Sequence, residues 1–203
     1  MELPGIITYP KGNLIPQDGS LTYESSFLSP DEARHFFNVL KETVRWRSEK
    51  IRIYGKEVLQ PRLMAWYGDK GRSYTYSHLT LHPDPWTKEL AELKTRVEAA
   101  SKLPFNSLLL NYYRDGRDHV SWHSDYEVEL GRRPAIAALS LGGVGRFQLR
   151  HKTNKDLETL SLDLEPGSLV VMSGSLQEFW LHRIAQTKKH VDERISLTYR
   201  QII

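Results

Sequence analysis

The feature that most limits the fold is a series of short apolar runs in the second half of the chain. Each run is rich in Leu, Ile, Val or aromatic residues, and turn signals separate it from the next. The runs cover residues 106–113, 134–141, 146–151, 159–164, 168–173 and 194–200. Short strands at this spacing are typical of a β-sandwich or jelly roll and not of a parallel α/β sheet.

The first half of the chain predicts helices and a hairpin. Ser29 begins a helix, because Pro30 suits its first position and Glu32 closes a capping box. A second helix is predicted after Asp84 and Pro85. Residues 51–56 alternate and then meet a glycine, which indicates a hairpin.

Composition excludes several classes of protein and site. The chain has 203 residues, 28 Lys and Arg against 25 Asp and Glu, and a net charge of +3. This length suits one domain with a sizeable core. The absence of cysteine excludes thiolate catalysis, iron–sulfur clusters, cysteine zinc sites and disulfides. No apolar run approaches the roughly 20 residues that span a bilayer, so we expect no membrane association.

A histidine stands two residues before an aspartate at three places in the sequence. The three pairs are His82 with Asp84, His123 with Asp125, and His190 with Asp192. Asp84 is better explained as the N-cap of the second helix, and the last pair lies in a charged loop. These two pairs are therefore interpreted as structural or solvated residues.

The middle pair is the candidate metal site. Residues two apart on a strand point to the same side, so His123 and Asp125 can converge on one ion. His182 can return from a neighbouring strand as the third ligand. Two histidines and one carboxylate form the facial triad of non-haem Fe(II) sites.

The last apolar run carries arginines on one face. Alternation places Arg194, Ser196, Thr198 and Arg200 opposite the apolar residues of the same strand. Two guanidinium groups on an inward face suggest a dicarboxylate ligand. The alternative is an edge strand with solvated arginines. Six residues of strand span about 20 Å, so both arginines must lean inward, or the strand must bend, to hold one small molecule.

With these residues in view, the chain resembles the AlkB family of dioxygenases, which depend on Fe(II) and 2-oxoglutarate. The resemblance covers residues 50–203 well and the first 45 residues only loosely. Its motifs are Gln60-Pro61-Arg62, Trp66-Tyr67-Gly68-Asp69, Tyr74-Thr75-Tyr76-Ser77, Asn111-Tyr112-Tyr113, Trp122-His123-Ser124-Asp125, Arg150-His151-Lys152, His182 and the strand from Arg194 to Arg200.

The resemblance implies an α+β fold in a single dioxygenase domain, residues 1–203. Its double-stranded β-helix (jelly-roll) core would occupy residues 105–203, behind an N-terminal α/β nucleotide-recognition extension, residues 1–104. Fe(II) would be held by His123, Asp125 and His182. Arg194 would pair with the distal carboxylate of 2-oxoglutarate. The other polar groups of this co-substrate would contact Asn111, Tyr113, Thr198 and Arg200.

The resemblance also implies substrate contacts. Tyr76 is expected to stack on the damaged base, with Tyr74 and Trp66 as further candidates whose alternative role is packing under the barrel. Glu127 occupies an acidic position near that base, and Tyr54 resembles a wedge that opens the duplex. Arg62 and Arg150 complete the expected substrate residues. The basic segments 45–56 and 146–155 are candidates for phosphate contacts. Tyr126 and Ser196 depart from the family pattern.

The function implied is oxidative demethylation of 1-methyladenine and 3-methylcytosine in DNA, with RNA left open. O2 and 2-oxoglutarate react at iron, giving succinate, CO2 and an iron-oxo species that hydroxylates the methyl group, and formaldehyde is then lost. One alternative is the same chemistry on tRNA or protein, and another is a nucleic-acid-binding jelly roll without turnover. We expect single- or double-stranded alkylated DNA as the partner, a monomer, and a location in the cytoplasm of a bacterium or in the nucleus or cytoplasm of a eukaryote.

Overall fold

The structure is a computed structural model that describes residues 12–48, 50–53, 56–71, 74–76, 79–81 and 83–203. For residues 50–53, 56–57, 74–76 and 79–81 it describes the backbone alone. The helices are α1 (Pro30–Thr43), α2 (Lys88–Ser101) and α3 (Leu176–Phe179), with a 3-10 turn at Val128–Leu130. The strands are β1 (Ser20–Glu24), β2 (Lys50–Ile53), β3 (Lys56–Leu59), β4 (Leu63–Gly68), β5 (Tyr74–Tyr76), β6 (Leu79–Leu81), β7 (Ser107–Tyr113), β8 (Val120–His123), β9 (Ile136–Gly142), β10 (Gly145–His151), β11 (Leu160–Leu164), β12 (Leu169–Ser173), β13 (Trp180–Ile184) and β14 (Arg194–Arg200).

The strands from β7 onward are divided between two antiparallel sheets, and β1 and β4 join one of them. The major sheet has the order β1-β12-β9-β14-β7-β4, and the minor sheet has the order β11-β10-β13-β8. The chain passes repeatedly between them, since β7, β9, β12 and β14 lie in the major sheet and β8, β10, β11 and β13 in the minor one. This is the jelly roll that the spacing of apolar runs predicted, and the fold class is confirmed. β14 lies between β9 and β7, so it is not an edge strand.

Apolar residues pack on both faces of the major sheet. One buried cluster joins α1 and α2 to its outer face, with Leu40, Leu93 and Leu197 as members. A second cluster fills the space between the two sheets and includes Phe147 and Trp180. Side chains alternate across a strand, so the polar residues of β14 must lie on its inner face. The site is built on that face.

α1 has the N-cap that the sequence predicts, but α2 has a different one. Ser29 caps α1, and Glu32 completes the predicted capping box. The cap of α2 is Thr87, whose side chain accepts a hydrogen bond from the backbone N–H of Leu90. The prediction that Asp84 caps this helix is therefore wrong. Its backbone is instead bonded to that of β4, donating to Trp66 and accepting from Gly68.

The residues before 105 contribute to the same sheet as the core. β1 and β4 form the two edges of the major sheet, against β12 and β7. β2 with β3, and β5 with β6, form separate two-stranded sheets, and the first of these is the predicted hairpin. The division into an extension and a core stays a prediction. In the part of the chain that the structure describes, no helix is long and apolar enough to cross a membrane.

Candidate active site

Two histidines and an aspartate meet between the sheets. His123 ends β8, and His182 lies opposite it on β13 in direct register. The Asp125 carboxylate is 3.9 Å from Nε2 of His123 and 4.0 Å from Nε2 of His182. The candidate ligand atoms of the three residues all lie within 4.8 Å of one another. The structure thus brings together the trio that the sequence selected.

Asp125 lies beyond the end of β8, and a contact from α3 holds it in place. Its backbone N–H donates to Oε1 of Gln177 over 2.9 Å. Gln177 is almost fully buried. Lys152 Nζ donates to Oγ of Ser124 and to the carbonyl of Gln177, over 3.1 and 2.8 Å. The turn that carries Asp125 is therefore anchored on both sides.

A hydrogen bond sets the orientation of the His123 ring. Its Nδ1 lies 2.8 Å from the carbonyl oxygen of Ser121. A carbonyl only accepts, so the proton of the neutral ring is on Nδ1. Nε2 then carries the lone pair that a metal ion needs, and this atom lies 3.9 Å from Oδ1 of Asp125.

Charges and burial set the protonation states of the trio. Burial raises the pKa of the Asp125 carboxyl, but the charges of Arg200, His182 and His123 outweigh it and lower this pKa to about 2. Arg200 Nη2 donates to Oδ1 of Asp125 over 2.9 Å. For His182, burial and the charge of His123 lower the pKa from 6.5 to about 3. At neutral pH the site holds an ionised carboxylate and a neutral imidazole, which are the ligand states that a metal ion needs.

Arg194, at the N-terminal end of β14, is a buried cation without an acidic partner in the described structure. Arg194 is 3% exposed, and its Nη2 donates to Oγ of Ser140 over 2.8 Å. Its Nε and Nη1 have no hydrogen-bond partner in the described structure, and no carboxylate there lies within ion-pair distance. The guanidinium lies over the ring of Tyr113, 5.1 Å from its centre. Burial lowers the pKa of Arg194.

Gly145 makes room for this guanidinium. A Cβ at position 145 would lie 2.6 Å from Nε of Arg194 and 2.9 Å from its Cζ. A real Cβ atom essentially never lies this close to a non-bonded heavy atom. The first residue of β10 is therefore a glycine against which the Arg194 side chain packs.

Asn111 is oriented by Arg62, which lies just before β4. Arg62 Nε donates to its Oδ1 over 2.6 Å, and Arg62 Nη1 donates to the carbonyl of His119 over 3.3 Å. Because its oxygen is engaged, Asn111 presents its NH2 group as the remaining donor. Asn111 lies beside Ser196 on β14, on the inner face.

A family model for the 2OG-Fe(II) oxygenase superfamily matches residues 20–200. That range is most of the chain, and it includes the trio and both arginines of β14. The chain belongs to the 2OG-Fe(II) oxygenase superfamily.

Two curated mammalian proteins show where this oxygenase lies within the superfamily. It is 42% identical over 184 residues to the rat alpha-ketoglutarate-dependent dioxygenase alkB homolog 3, covering 87% of this chain and 62% of that protein. It is 35% identical over 181 residues to the mouse DNA oxidative demethylase ALKBH2, covering 85% and 76%. The resemblance to the AlkB family is confirmed. The chain spans less than two thirds of the length of the alkB homolog 3 proteins.

Solved structures support the fold of this oxygenase. The structure of OsALKBH1 superposes with a TM-score of 0.64 at 15% identity, over 94% of this chain and 99% of that one. A prolyl hydroxylase from Trichoplax adhaerens gives a TM-score of 0.60 at 12% identity, over 90% and 83%. At such low identity, these likenesses concern the fold alone.

The cleft of this oxygenase fits both reagents in the name of its superfamily. Two imidazoles and one carboxylate are suitable ligands for Fe(II) and leave coordination positions open. A buried guanidinium with unpaired donors suits a carboxylate, because a buried charge without a partner is costly. The metal and 2-oxoglutarate are therefore both accommodated by side chains between the two sheets, with the histidines on the minor sheet and Arg194 on the major sheet.

The residues expected to contact substrate are more dispersed. Glu127 is half-buried, and its Oε2 has no hydrogen-bond partner in the described part of the chain. Trp66 packs against the inter-sheet cluster, and its Nε1 donates to Oγ of Ser107 over 2.7 Å. Arg150 lies on the outer face of β10, and Thr198 is half-buried on the inner face of β14.

Three expected aromatic contacts lie beyond the described side chains. Tyr74 and Tyr76 are on β5, for which the structure describes the backbone alone, and Tyr54 is outside the described residues. Their roles, and those of Arg62, Glu127 and Trp66 toward substrate, stay predictions.

Sequence reasoning missed the residues that support the trio and Arg194. Gln177, Ser140 and Gly145 are far from the motifs in the sequence and contact them only in the fold. One signal was present for Gly145, since residues 142–145 contain three glycines between two predicted strands. Glycine within a strand often marks a close approach of another group.

Substituting Gly145 with alanine is expected to weaken the binding of 2-oxoglutarate about tenfold or more while the protein stays folded. The new Cβ would displace the Arg194 side chain, whose far end can move. Isothermal titration of the Mn(II)-loaded protein with 2-oxoglutarate measures this affinity. Val144→Ala is the control, because this neighbouring side chain is 45% exposed and its truncation adds no atom against Arg194. Equal affinity for both variants would show that the packing of Gly145 against Arg194 does not affect the binding of 2-oxoglutarate.

The low pKa of His182 predicts an acid-sensitive apoprotein. In the metal-free protein the buried imidazole resists protonation, whereas in the unfolded chain it titrates near its usual 6.5. The unfolded state therefore binds the extra proton, and the free energy of unfolding falls as the pH drops below 6.5. We expect a loss of about 2 kcal/mol between pH 7 and pH 5. Urea unfolding with a chelator measures it, and His182→Asn should remove most of this loss.

Proposed function

We propose that the protein is an oxidative demethylase of N-alkylated bases, 1-methyladenine and 3-methylcytosine, in DNA. The observation that carries the proposal is one cleft holding two complementary sites. The His123, Asp125 and His182 trio suits Fe(II), and the buried Arg194, which lacks an acid, suits 2-oxoglutarate. The printed names of the relatives, a DNA oxidative demethylase and alkB homolog 3, support this substrate class.

The reaction needs one methyl C–H bond, O2 and 2-oxoglutarate. Bound iron with these co-substrates supplies the oxidising power that converts the N-methyl group to N-hydroxymethyl. One oxygen atom of O2 enters the hydroxymethyl group and the other enters the new carboxylate of succinate. The carboxylate next to the keto group of 2-oxoglutarate leaves as CO2. The N-hydroxymethyl group then breaks its C–N bond, releasing formaldehyde and the unmodified base.

The chain's own residues orient the co-substrate. Arg194 would bind the distal carboxylate of 2-oxoglutarate with two parallel N–H donors. Asn111 would donate its NH2 group, because Arg62 already occupies its oxygen. This contact gives Arg62 a positioning role behind the co-substrate, in addition to the substrate contact expected from the sequence. Arg200 keeps the carboxylate of Asp125 ionised.

Glu127 supports selection of a damaged base. Its Oε2 is buried and has no partner in the described structure. A carboxylate in this state favours a cation, and methylation at a ring nitrogen makes adenine or cytosine cationic. The base must leave the helical stack to reach the cleft. We propose Tyr76, with Tyr74, as the aromatic side chains that hold it there.

Mass spectrometry of a short oligonucleotide with one 1-methyladenine tests the proposal. The oligonucleotide is incubated with protein, Fe(II), ascorbate and 2-oxoglutarate, and a matched reaction omits 2-oxoglutarate. Loss of one methyl group only in the complete reaction supports the proposal. Succinate without loss of methyl would keep the oxygenase and refute this substrate. Neither product, from iron-loaded protein, would refute turnover.

RNA carrying the same lesion separates the main alternatives. DNA and RNA differ locally by the 2′-hydroxyl, so parallel oligonucleotides compare them directly. Activity only on tRNA would favour that alternative. Single-stranded and duplex DNA would show whether Tyr54 acts as a wedge, since Tyr54→Ala should then lower duplex repair selectively. The monomeric state and the cellular location stay predictions.

A further inference from the structure

An indole and two arginines form a cluster on the outer face of the minor sheet. Trp122 is on β8, Arg183 on β13 and Arg150 on β10, so three neighbouring strands contribute one residue each. The guanidinium carbons of Arg150 and Arg183 lie 4.4 and 4.5 Å from the centre of the Trp122 ring. Both distances are within the range of a cation–π contact. We call these three residues the Trp122 patch.

Alternation along the strands determines which way the patch faces. On β10, Leu149 is fully buried between the sheets, while Arg150 is exposed. On β13, His182 points into the cleft, so its neighbour Arg183 points away from it. Trp122 immediately precedes His123 on the edge strand of the minor sheet. The patch is therefore separated from the metal trio by the thickness of one sheet at its edge.

The charges of the patch are not neutralised by the protein. In the described structure, neither Arg150 nor Arg183 has a carboxylate within ion-pair distance. Arg183 Nε donates to the neutral Oε1 of Gln148 over 2.8 Å. By contrast, Arg146, on the same strand and face as Arg150, lies 2.6 Å from Oδ1 of Asp163.

Two like charges on one ring are a costly arrangement unless an anion binds there. Arg150 pairs across the strands with Leu181, and Arg183 pairs with Gln148, so the two arginines are diagonal neighbours. Diagonal positions on adjacent strands are about 7–8 Å apart. Two planar guanidinium groups held by an aromatic ring, each with free donors, suit two phosphate groups of one strand.

We propose that the Trp122 patch binds the phosphodiester backbone of a nucleic-acid strand next to the nucleotide that enters the cleft. This inference rests on the proposed function and adds an anchoring surface outside the cleft. Such contacts position a strand without reading its sequence. The stretch of backbone bound there would continue past β8, the edge strand beside His123.

The test is the salt dependence of binding to an unmodified single-stranded oligonucleotide. Fluorescence anisotropy with a fluorescein-labelled DNA strand gives Kd over a series of KCl concentrations, without iron or turnover. Each phosphate contact to a single strand contributes about 0.7 to the slope of log Kd against log salt. The double variant R150Q/R183Q should lower that slope by about 1.4 and weaken binding about tenfold at low salt.

Arg146→Gln is the matched control. Arg146 belongs to the basic segment 146–155 and shares the strand and face of Arg150, but its charge is paired with Asp163, so this proposal excludes it from the phosphate contacts. Its slope should equal that of the wild type. R150K/R183K keeps both charges and should keep most of the slope. Circular dichroism verifies folding, and if the double variant does not fold, each single variant should lower the slope by about 0.7.

An unchanged slope in R150Q/R183Q, or an equal drop in Arg146→Gln, would overturn the proposal. The proposal would also be overturned if the wild type bound a polyglutamate peptide as tightly as the oligonucleotide and the double variant lost both affinities equally. The patch would then suit an acidic protein. Failure of this inference can be distinguished from failure of the demethylase proposal. If the slope changes in the double variant but the wild type shows no demethylation, the binding surface is supported and the reaction is refuted. If the wild type demethylates but the slopes are unchanged, the reaction is supported and the binding surface is refuted.

Discussion

Replacing His123 with alanine is expected to abolish the proposed demethylation while leaving oligonucleotide affinity within about twofold. His123 supplies one of the three candidate ligands and is more exposed than His182, so its loss leaves no large internal cavity. Removal of a residue that only supports a ligand typically costs 10–100-fold in metal affinity. Loss of a ligand itself should cost more than about 100-fold. Fe(II) titration and the mass-spectrometric assay measure the two effects.

His190→Ala is the matched control for this variant. His190 also stands two residues before an aspartate, but it is exposed in the loop before β14. The structure brings no third ligand to it among the described residues. This variant should therefore keep wild-type turnover. Equal turnover in His123→Ala would refute the metal site and favour the alternative of a binding module without turnover.

The sequence could predict the arrangement of β14 because one strand contains the whole pattern. Polar residues of the inner face alternate along β14 with residues of the apolar face. This two-residue period can be recognised in the sequence without knowing which strands are neighbours. The cooperation of Arg194 and Arg200 was harder to foresee. The structure places Arg200 against Asp125 and Arg194 against Tyr113, at opposite ends of the strand. Both side chains serve one cleft because both lie on the inner face.

The strands that carry the two histidines could not be predicted from local sequence. β8 has four residues and β13 has five, and each mixes polar and apolar side chains. They form because they pair with each other and because β13 also pairs with β10, which are contacts between distant parts of the chain. Asp125 was expected on a strand, but it follows one. Gln177, 52 positions away, replaces the missing ladder contact.

The edge strands of the major sheet also could not be predicted from local sequence. β1 and β4 come from the part of the single domain that was expected to form its N-terminal extension, and they pair with β12 and β7. The strand propensity of β4 was visible in Trp66 and Tyr67, although its partner was not. Pairing between distant strands is decided by burial of the whole face. A single sequence does not contain that information locally.

Replacing Arg194 with methionine is expected to raise the Kd for 2-oxoglutarate by about 30-fold to more than 10³-fold. Truncating one partner of a buried, hydrogen-bonded charge pair costs about 2–5 kcal/mol, and each 1.4 kcal/mol is tenfold. Isothermal titration with the Mn(II)-loaded protein measures the loss. Arg194→Lys keeps the charge but loses the paired donors, so its affinity for 2-oxoglutarate should lie between those of the wild type and Arg194→Met.

The same substitution should make the ligand-free protein more stable, which a merely structural arginine would not do. In the described structure Arg194 is a buried cation without an acid, and such a charge is costly until an anion binds. Methionine removes that cost, so we expect Tm to rise by about 3 °C or more without ligand. Adding 2-oxoglutarate should stabilise the wild type and not the variant. A lower Tm for the ligand-free variant would show that Arg194 stabilises the fold itself, and the assignment of its free donors to the co-substrate would then be wrong.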